Sequence, residues 1–230
     1  GVIMPSSENG LVFPFKAASL HAVQVRVIRV FEDNIGQFLQ VNSIGQSNQL
    51  KRVGRLVHKS NVTLGDPQDK SLLSWKNYAI DLSDLMQMEP GALYRIKISF
   101  SKAHAVRECE GDEDYTLSEI SNSDSEYSEY DNGDAYYDDD EEYDSYWLRD
   151  KDDPCSDDYF QSGNPNSQPI YQNVIASDLG IIAKRSKTDK IHVALTDLKS
   201  VKSLTGIKVD LYNHQNRIIQ SATSDKNGFV

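Results

Sequence analysis

The pattern that most restricts the fold is a repeated alternation of apolar and polar residues in short runs. Apolar residues alternate with polar ones from Tyr94 to Phe100, and the same period of two recurs around Val25, Val193 and Val209. A period of two is typical of a β-strand that buries one face and exposes the other. Further strands are predicted at 11–15, 52–58, 78–82 and 217–223. Many short strands separated by turn residues indicate an all-β fold, a sandwich or a barrel, and not repeated βαβ units.

The strand around Val25 contains a break in this alternation. Val23, Val25 and Val27 share one phase, whereas Ile28 and Val30 share the other. A slip of one residue inside a long strand predicts a β-bulge or a bend at this point.

Helical signals are scarce. The best candidate helix covers 84–88, with Ser83 as its N-cap and Pro90-Gly91 as its stop. The sequence therefore predicts one short helix at this position.

The acidic residues of the chain are concentrated in one segment. The formal net charge is −11, but 22 Asp and Glu lie between Glu108 and Asp158 against two basic residues, Arg149 and Lys151. This acidic segment, residues 108–158, carries −20, so the rest of the chain carries +9. Such a segment cannot bury enough apolar surface to offset its ordering entropy, and it is predicted to be a mobile insert. Its charge would repel phosphates, which argues against nucleic acid as a partner.

The composition also predicts a domain boundary near residue 169. Residues 161–169 are rich in Ser, Gly, Asn and Pro, which is typical of a linker. The sequence therefore predicts one β-sandwich at 1–169, insert included, and the start of a second at 170–230. The second part is shorter than the roughly 100 residues of a free-standing sandwich, so we expect it to be truncated.

The two cysteines, Cys109 and Cys155, flank the acidic segment. One interpretation is a disulfide at the base of the insert, worth about 4 kcal/mol for a loop of this length. The alternative is two free thiols in a reducing compartment. Metal ligation is disfavoured because no C-x-x-C spacing exists.

No constellation of residues predicts catalysis. The five histidines are scattered and are predicted to be exposed strand or turn residues: His21, His58, His104, His192 and His214. No nucleophile elbow, zinc-protease motif, P-loop or dinucleotide-binding motif occurs. We therefore expect no catalytic, cofactor-binding or metal-binding residues and no enzyme activity. No run approaches the ~20 apolar residues of a membrane-spanning helix, so no membrane insertion is predicted.

The acidic segment leaves two further interpretations open. The run 138–142 could gather Ca²⁺, although the spacing of a calcium-binding loop is missing. Seven of the twelve tyrosines of the chain also lie in this segment, which could make it a contact surface for a basic partner.

Four stretches of the second part carry a family resemblance. They are VIASDLGIIAK at 174–184, IHVALTDL at 191–198, LTGIKVDLY at 204–212 and TSDKNG at 223–228. They resemble the macroglobulin-like domain near the N-terminus of bacterial alpha-2-macroglobulins. Gly206 and Gly228 fall where its hairpin turns require positive φ. Upstream, stretches 11–17, 38–42, 78–83 and 90–95 look like the preceding macroglobulin domain of the Bacteroides-type proteins.

The resemblance implies two tandem antiparallel sandwiches of the macroglobulin type, which are similar to immunoglobulin or fibronectin-III domains. It also implies a part of an extracytoplasmic protease trap, in which a bait region is cut and a thioester captures the protease. The thioester motif Cys-x-Glu-Gln is missing, since Cys109 is followed by Glu110-Gly111-Asp112, and no bait region is recognisable. We therefore expect non-catalytic scaffold domains without a cofactor.

The expected partners are proteases, through the full-length protein, and neighbouring macroglobulin domains of the same chain. The expected location is the periplasm, or a membrane-anchored lipoprotein of a Gram-negative bacterium of the Bacteroidetes. The alternative function is a cell-surface adhesion or carbohydrate-binding module that uses the acidic, Tyr-rich loop.

Overall fold

The strands of the described residues form one large sheet and three pairs. The computed structural model describes residues 2–4, 11–106, 150, 152–160, 164 and 167–230. The strands are β1 Val2–Met4, β2 Val12–Ala17, β3 Ala22–Val30, β4 Gly54–Thr63, β5 Lys76–Asp81, β6 Leu93–Ser99, β7 Ile170–Ala176, β8 Leu179–Arg185, β9 Ile191–Asp197, β10 Lys208–Tyr212 and β11 Ile218–Thr223. The helices are α1 Glu32–Val41, α2 Leu50–Val53 and α3 Leu82–Leu85, with short 3-10 helices at Lys70–Leu73, Lys102–His104 and Asp157–Phe160. The predicted all-β class is confirmed.

The large sheet has the strand order β1-β7-β6-β3-β4. The pair β1–β7 is parallel and the other three pairs are antiparallel. In the centre of the sheet, Val25 on β3 lies opposite Ser60 on β4 and Ile98 on β6. The three pairs are β2–β5, β8–β9 and β10–β11, all antiparallel.

The main core lies between the large sheet and the β2–β5 pair. On β2 the burial alternates, with Phe13, Phe15 and Ala17 buried and the residues between them exposed. These side chains pack in one cluster with buried residues of the large sheet and of β5: Val23, Val25, Val27, Ile80, Tyr94, Ile96, Ile98 and Val174. The alternation in the sequence thus reports which face of each strand meets the core.

A second, smaller core lies on the opposite face of the large sheet. Val30 and Leu93 pack there against Phe38 of α1 and against Leu50 and Val53 of α2. Each of these five side chains is at most 5% exposed. Helices α1 and α2 therefore cover one end of this face.

This second core explains the slip of phase in β3. Val23, Val25 and Val27 point to the main core, and Ile28 and Val30 point to the second core on the other face. The pairing of β3 with β4 also shifts register between Val27 and Ile28, so the predicted irregularity is confirmed.

The helices differ most from what the sequence predicts. The chain forms α1 and α2, which were not predicted, and α2 takes the first residues of the strand expected at 52–58. Neither Phe31 nor Gln49, the N-cap residues of these helices, makes a side-chain capping bond, so the usual start signal is missing. The prediction of Ser83 as an N-cap was wrong by two residues. Asp81 caps α3, and its side chain accepts a hydrogen bond from the Ser83 N–H at 2.9 Å.

Strand β7 lies on the far side of the predicted boundary at residue 169. Its residues pair with β6 from Leu93↔Ile175 to Ile98↔Ile170, so β7 is an inner strand of the large sheet. Within the predicted linker, Asn164 is fully buried and its amide donates to the Tyr159 carbonyl at 2.9 Å. The boundary at 169 therefore separates β7 from the sheet in which it lies.

Two residues, Ser177 and Asp178, separate β7 from the hairpin β8–β9, and the hairpin β10–β11 comes next in the chain. The predicted positive φ of Gly206 and Gly228 is confirmed, at 77° and 79°. A Cβ on Gly228 would lie 2.5 Å from the carbonyl oxygen of Leu195, so this turn also requires the absence of a side chain.

Candidate functional site

Only one of the two cysteines of the predicted disulfide lies in the described part of the chain. Cys155 is exposed in the loop before the 3-10 helix Asp157–Phe160, and its N–H donates to the Asp153 carboxylate at 2.9 Å. Cys109 lies outside the described residues, as do the run 138–142 and the tyrosines of the acidic segment. The disulfide therefore stays a prediction.

We expect the disulfide to be found by mass spectrometry. Under non-reducing conditions the intact protein should show no alkylatable thiol, and Cys155→Ser should lower the free energy of unfolding by up to about 4 kcal/mol. The wild type after reduction serves as the matched control and should be about as stable as Cys155→Ser. Two alkylatable thiols in the native protein would contradict the prediction.

The histidines form no metal site in the residues that the structure describes. No group of three or more His, Cys, Asp or Glu side chains there could hold a metal ion. His192 and His214 are exposed, as expected. His104 was wrongly predicted, because its side chain is buried with 1% exposure.

His104 is held as a neutral ring by a short hydrogen-bond chain. The N–H of Ser101 donates to Nδ1 at 3.0 Å, which places the proton on Nε2, 3.2 Å from the Asn61 side-chain oxygen. Burial and the nearby charge of His21 lower the pKa of His104 to about 4. The ring links the 3-10 helix that follows β6 to Asn61 on β4, so its role is to stabilise the fold. The signal that could have found it is Ser101 three residues earlier, which completes a capping box with it.

An aromatic cleft opens at the end of the main core. It has a volume of about 380 Å³ and is lined by aromatic residues from distant parts of the chain: Phe15, Trp75, Phe100, Tyr159 and Phe160. The Phe100 and Phe160 rings meet edge to face at 6.2 Å between centroids. Trp75 at the rim is 76% exposed. Such a cleft can hold an apolar or planar group.

The large sheet also carries a cluster of positive charge, formed by Arg26, Lys59, Arg95 and Lys97. We call these four residues the cationic face. Arg26 lies directly opposite Lys59 on one side and directly opposite Lys97 on the other. Directly opposite residues of an antiparallel pair point to the same face, so three cations form a row across three strands.

An aromatic ring fixes two of these cations. Tyr171 on β7 lies opposite Lys97, and its ring centroid is 4.6 Å from the Arg95 guanidinium carbon and 5.7 Å from Lys97 Nζ. Arg95 also donates to the Asn173 side-chain oxygen at 3.1 Å. These cation–π contacts hold the charges at the sheet surface.

The C-terminal hairpins expose apolar side chains on both faces. Ile181 and Ile182 are neighbours on β8 and point to opposite faces, yet both are more than half exposed. Ile218 and Ile219 on β11 repeat this arrangement. Exposed isoleucines that recur on two hairpins favour contact with another protein surface.

The hairpins also touch the first part of the chain through α1. The side-chain amide of Gln40 donates to the carbonyl of His214 at 2.7 Å. Gly36 faces Asn216, and a Cβ there would lie 2.5 Å from the Asn216 side-chain oxygen. Helix α1, which the sequence did not predict, thus forms both the second core and this contact.

Residues 176–230, which include β8 to β11, match a family model described as the bacterial alpha-2-macroglobulin MG3 domain. The fold is all-β and macroglobulin-like. The predicted resemblance to the bacterial alpha-2-macroglobulin family is confirmed, and the C-terminal part of the chain carries the match. The assignment to Bacteroides-type proteins stays a prediction.

One solved structure supports the same fold. The chain is similar to a crystal structure of native alpha-2-macroglobulin from Escherichia coli spanning domains NIE-MG1, with a TM-score of 0.52 at 16% identity. That match covers 96% of this chain and 77% of the other. The chain is also similar to the native conformation of E. coli alpha-2-macroglobulin determined by cryo-EM, at 19% identity and a TM-score of 0.49. There the match covers 96% of this chain and 10% of the other, so the chain spans about a tenth of that protein. A comparison with curated proteins found no match.

No helix among the described residues is long and apolar enough to span a membrane.

Proposed function

We propose that this chain supplies non-catalytic scaffold domains to an alpha-2-macroglobulin-like endopeptidase inhibitor. The observation that carries the proposal is the match of residues 176–230 to the MG3 domain family. In this proposal proteases meet the full-length protein, and this part contacts neighbouring macroglobulin domains of the same chain. The protein would act in the periplasm, or as a membrane-anchored lipoprotein, of a Gram-negative bacterium of the Bacteroidetes.

The exposed isoleucines of β8 and β11 support a scaffold role. Ile182 on the β8–β9 pair is 64% exposed, and Ile219 on the β10–β11 pair is 61% exposed. Burying one isoleucine side chain contributes roughly 1.5–3 kcal/mol, so several of them favour contact with further domains. The contact between Gln40 and His214 supports the same role, because it limits how the hairpins can move relative to α1.

We place the domain boundary at Ser177-Asp178. Strand β7 belongs to the large sheet by its pairing with β6, and the family match begins at residue 176. Only two residues separate β7 from β8, which restricts the angle between the two parts. A boundary at this position gives a first unit of 1–176 and a second that starts at 179.

The inhibitor proposal predicts a difference between large and small protease substrates. When the full-length protein is mixed with an endopeptidase, cleavage of a large protein substrate should fall, while cleavage of a small peptide substrate should continue. A trapped protease keeps its active site but is shielded from large substrates by the surrounding domains. Equal cleavage of both substrates with and without the protein would contradict the proposal.

The scaffold role predicts a context-dependent effect of Ile182→Ser. In the full-length protein we expect a loss of about 1–3 kcal/mol of stability, because the side chain is buried against a neighbouring domain. In the 230-residue chain the same change should stay within about 0.5 kcal/mol. Lys187→Ser, in the turn between β8 and β9, is the control and should have little effect in either protein. An equal effect of Ile182→Ser in both proteins would argue against a domain contact there.

The alternative function, an adhesion or carbohydrate-binding module, is favoured by one observation. Trp75 is highly exposed at the rim of the aromatic cleft, and exposed aromatic rings can stack on planar or sugar faces. A glycan array with the 230-residue chain tests it, with Trp75→Ala as the variant that should abolish binding. Leu73→Ala, also exposed nearby, is the control.

A further inference from the structure

The aromatic cleft is open because small residues stand at the end of the main core. Ala17, Ala18, Ser19 and Ala105 line it, whereas the core beside it is filled by Phe, Val and Ile side chains. Protein interiors are normally packed without voids much larger than a water molecule. A space of about 380 Å³ at the edge of such a core is therefore available to a ligand.

Hydrogen bonds and ring contacts hold the walls of the cleft in place. The N–H of Ser19 donates to the Leu72 carbonyl at 2.6 Å, and the Ser19 carbonyl accepts from the Val106 N–H at 2.8 Å. The rings of Tyr159 and Phe160 meet edge to face at 5.0 Å between centroids. A cavity whose walls are fixed before the ligand arrives pays little ordering entropy on binding.

Trp75 presents its indole ring at the mouth of the cleft. The side chain is 76% exposed, although burial of an aromatic ring of this size is strongly favourable. Ala17 on β2 lies opposite Lys76 on β5, so Trp75, one residue earlier, is held beside the end of β2. An indole held at the mouth of a cavity favours stacking on a flat ligand.

A cationic residue lies beside this indole. Among the described residues that line the cleft, Lys16 has the only charged side chain. Lys16 lies opposite Asn77, which follows Trp75 by two residues, and residues two apart along a strand point to the same face. Diagonal neighbours of this kind are within reach of each other's long side chains. A ring stacked on Trp75 can therefore carry an anionic group to Lys16.

The size and lining of the cleft indicate the kind of ligand. Its volume is at the lower end of the roughly 300–1,000 Å³ of small-molecule sites. A stable protein interface buries about 1,200–2,000 Å², so the cleft would be only a small part of one. Sugar hydroxyls need polar partners when they are buried, and the described lining offers polar side chains from four residues, Lys16, Ser19, Tyr159 and Gln168. A flat apolar group fits this lining better than a sugar does.

We propose that the cleft binds a small planar aromatic molecule with one anionic group, such as an aromatic carboxylate or sulfonate. The ring enters the cavity beside Phe160 and stacks on Trp75. The anionic group stays at the mouth near Lys16, where water still reaches it, so its charge is not buried. This binding is separate from the exposed isoleucines of β8 and β11 and does not depend on the scaffold role.

Two fluorescent probes that differ by one charge test the proposal in the 230-residue chain. Anilinonaphthalene sulfonate carries an anion, phenylnaphthylamine has the same rings without it, and both brighten in an apolar site. Trp75→Ala should weaken the binding of both probes about tenfold, because each loses a stacked ring. Lys16→Gln should weaken the anionic probe about two- to fivefold and leave the neutral probe unchanged, since it removes one exposed ion pair.

Two variants on the C-terminal hairpins serve as matched controls. Tyr212→Ala removes an exposed ring and Lys184→Gln an exposed cation, and both affinities should stay unchanged. Losses as large in these controls as in the cleft variants would place the probes on the hairpins and overturn the proposal. An equal effect of Lys16→Gln on both probes would overturn the anionic class of ligand. Displacement of the probes by a neutral oligosaccharide, and not by an aromatic carboxylate, would assign the cleft to a sugar.

A second measurement needs no change in the cleft. Trp75 and Trp147 are the two tryptophans of the chain, so Trp147→Phe leaves Trp75 as the only one. Binding of the anionic probe should quench the emission of Trp75, because energy transfer from indole to the probe rises steeply as they approach. The quenching should follow the same titration curve as the brightening of the probe. Unchanged Trp75 emission at saturating probe, or no saturable binding at all, would overturn the proposal.

Discussion

Phe38→Ala is expected to lower the free energy of unfolding of the large-sheet unit by about 3–5 kcal/mol. Phe38 is the buried residue of α1, with 1% exposure, and it packs on Val30 and Leu93 of the sheet. Removing its ring leaves a cavity between the helix and the sheet, which the small second core cannot refill. Thermal unfolding followed by circular dichroism should show a melting temperature lower by about 10 °C.

Leu39→Ala is the matched control for this prediction. Leu39 is the next residue on α1 but is 42% exposed, so its truncation to alanine should change the free energy of unfolding by no more than about 0.5 kcal/mol. Equal effects of the two substitutions would mean that α1 does not pack on the sheet as described. The pair therefore tests the longest helix among the described residues, which the sequence did not predict.

The second large effect is a loss of stability in acid caused by His104. The folded-state pKa of this residue is about 4, lowered by burial and by His21, against about 6.5 for a histidine in the unfolded chain. Between these two pKa values the unfolded state binds more protons than the folded state. The contribution of neutral His104 to the free energy of unfolding is therefore fully present above pH 6.5 and is lost as the pH falls towards 4. The difference in pKa corresponds to roughly 3 kcal/mol.

Urea unfolding at a series of pH values checks this window. The wild type should lose this free energy between pH 6.5 and 4, whereas His104→Gln should lack this part of the pH dependence, although it is less stable at pH 7. His192→Gln, at an exposed position of β9, should behave as the wild type does. Parallel curves for wild type and His104→Gln would show that this ring does not titrate with folding.

Strands such as β2 and β6 could be predicted from the sequence because they alternate in burial. The pattern from Tyr94 to Phe100 and the slip after Val27 both match the structure, since each apolar residue reports the face on which a core lies. The helices α1 and α2 could not be predicted in this way. Their N-cap residues make no side-chain bond, and tertiary packing of Phe38 and Leu50 holds them in place.

The interaction surfaces were less accessible to sequence reasoning. The cationic face combines residues from three strands, and Arg26, Lys59 and Lys97 become neighbours only through the register of the sheet. The aromatic cleft likewise joins Phe15, Trp75 and Phe160. His104 was predicted to be exposed, because its capping-box spacing with Ser101 was not recognised in the sequence. Residue types were visible in each case, but their proximity depended on pairing between distant segments.

The position of β7 between β1 and β6 has a consequence for synthesis of the protein. Strand β1 pairs with a strand about 170 residues later, and β6 keeps an open edge until Ile170–Ala176 has left the ribosome. The 70 residues between β6 and β7 take roughly 4–14 s to translate. During that interval the open edge of one nascent chain could pair with another. The acidic segment starts nine residues after β6 and emerges in the same seconds, so its charge of −20 repels the acidic segments of other copies when the sheet is most prone to aggregate.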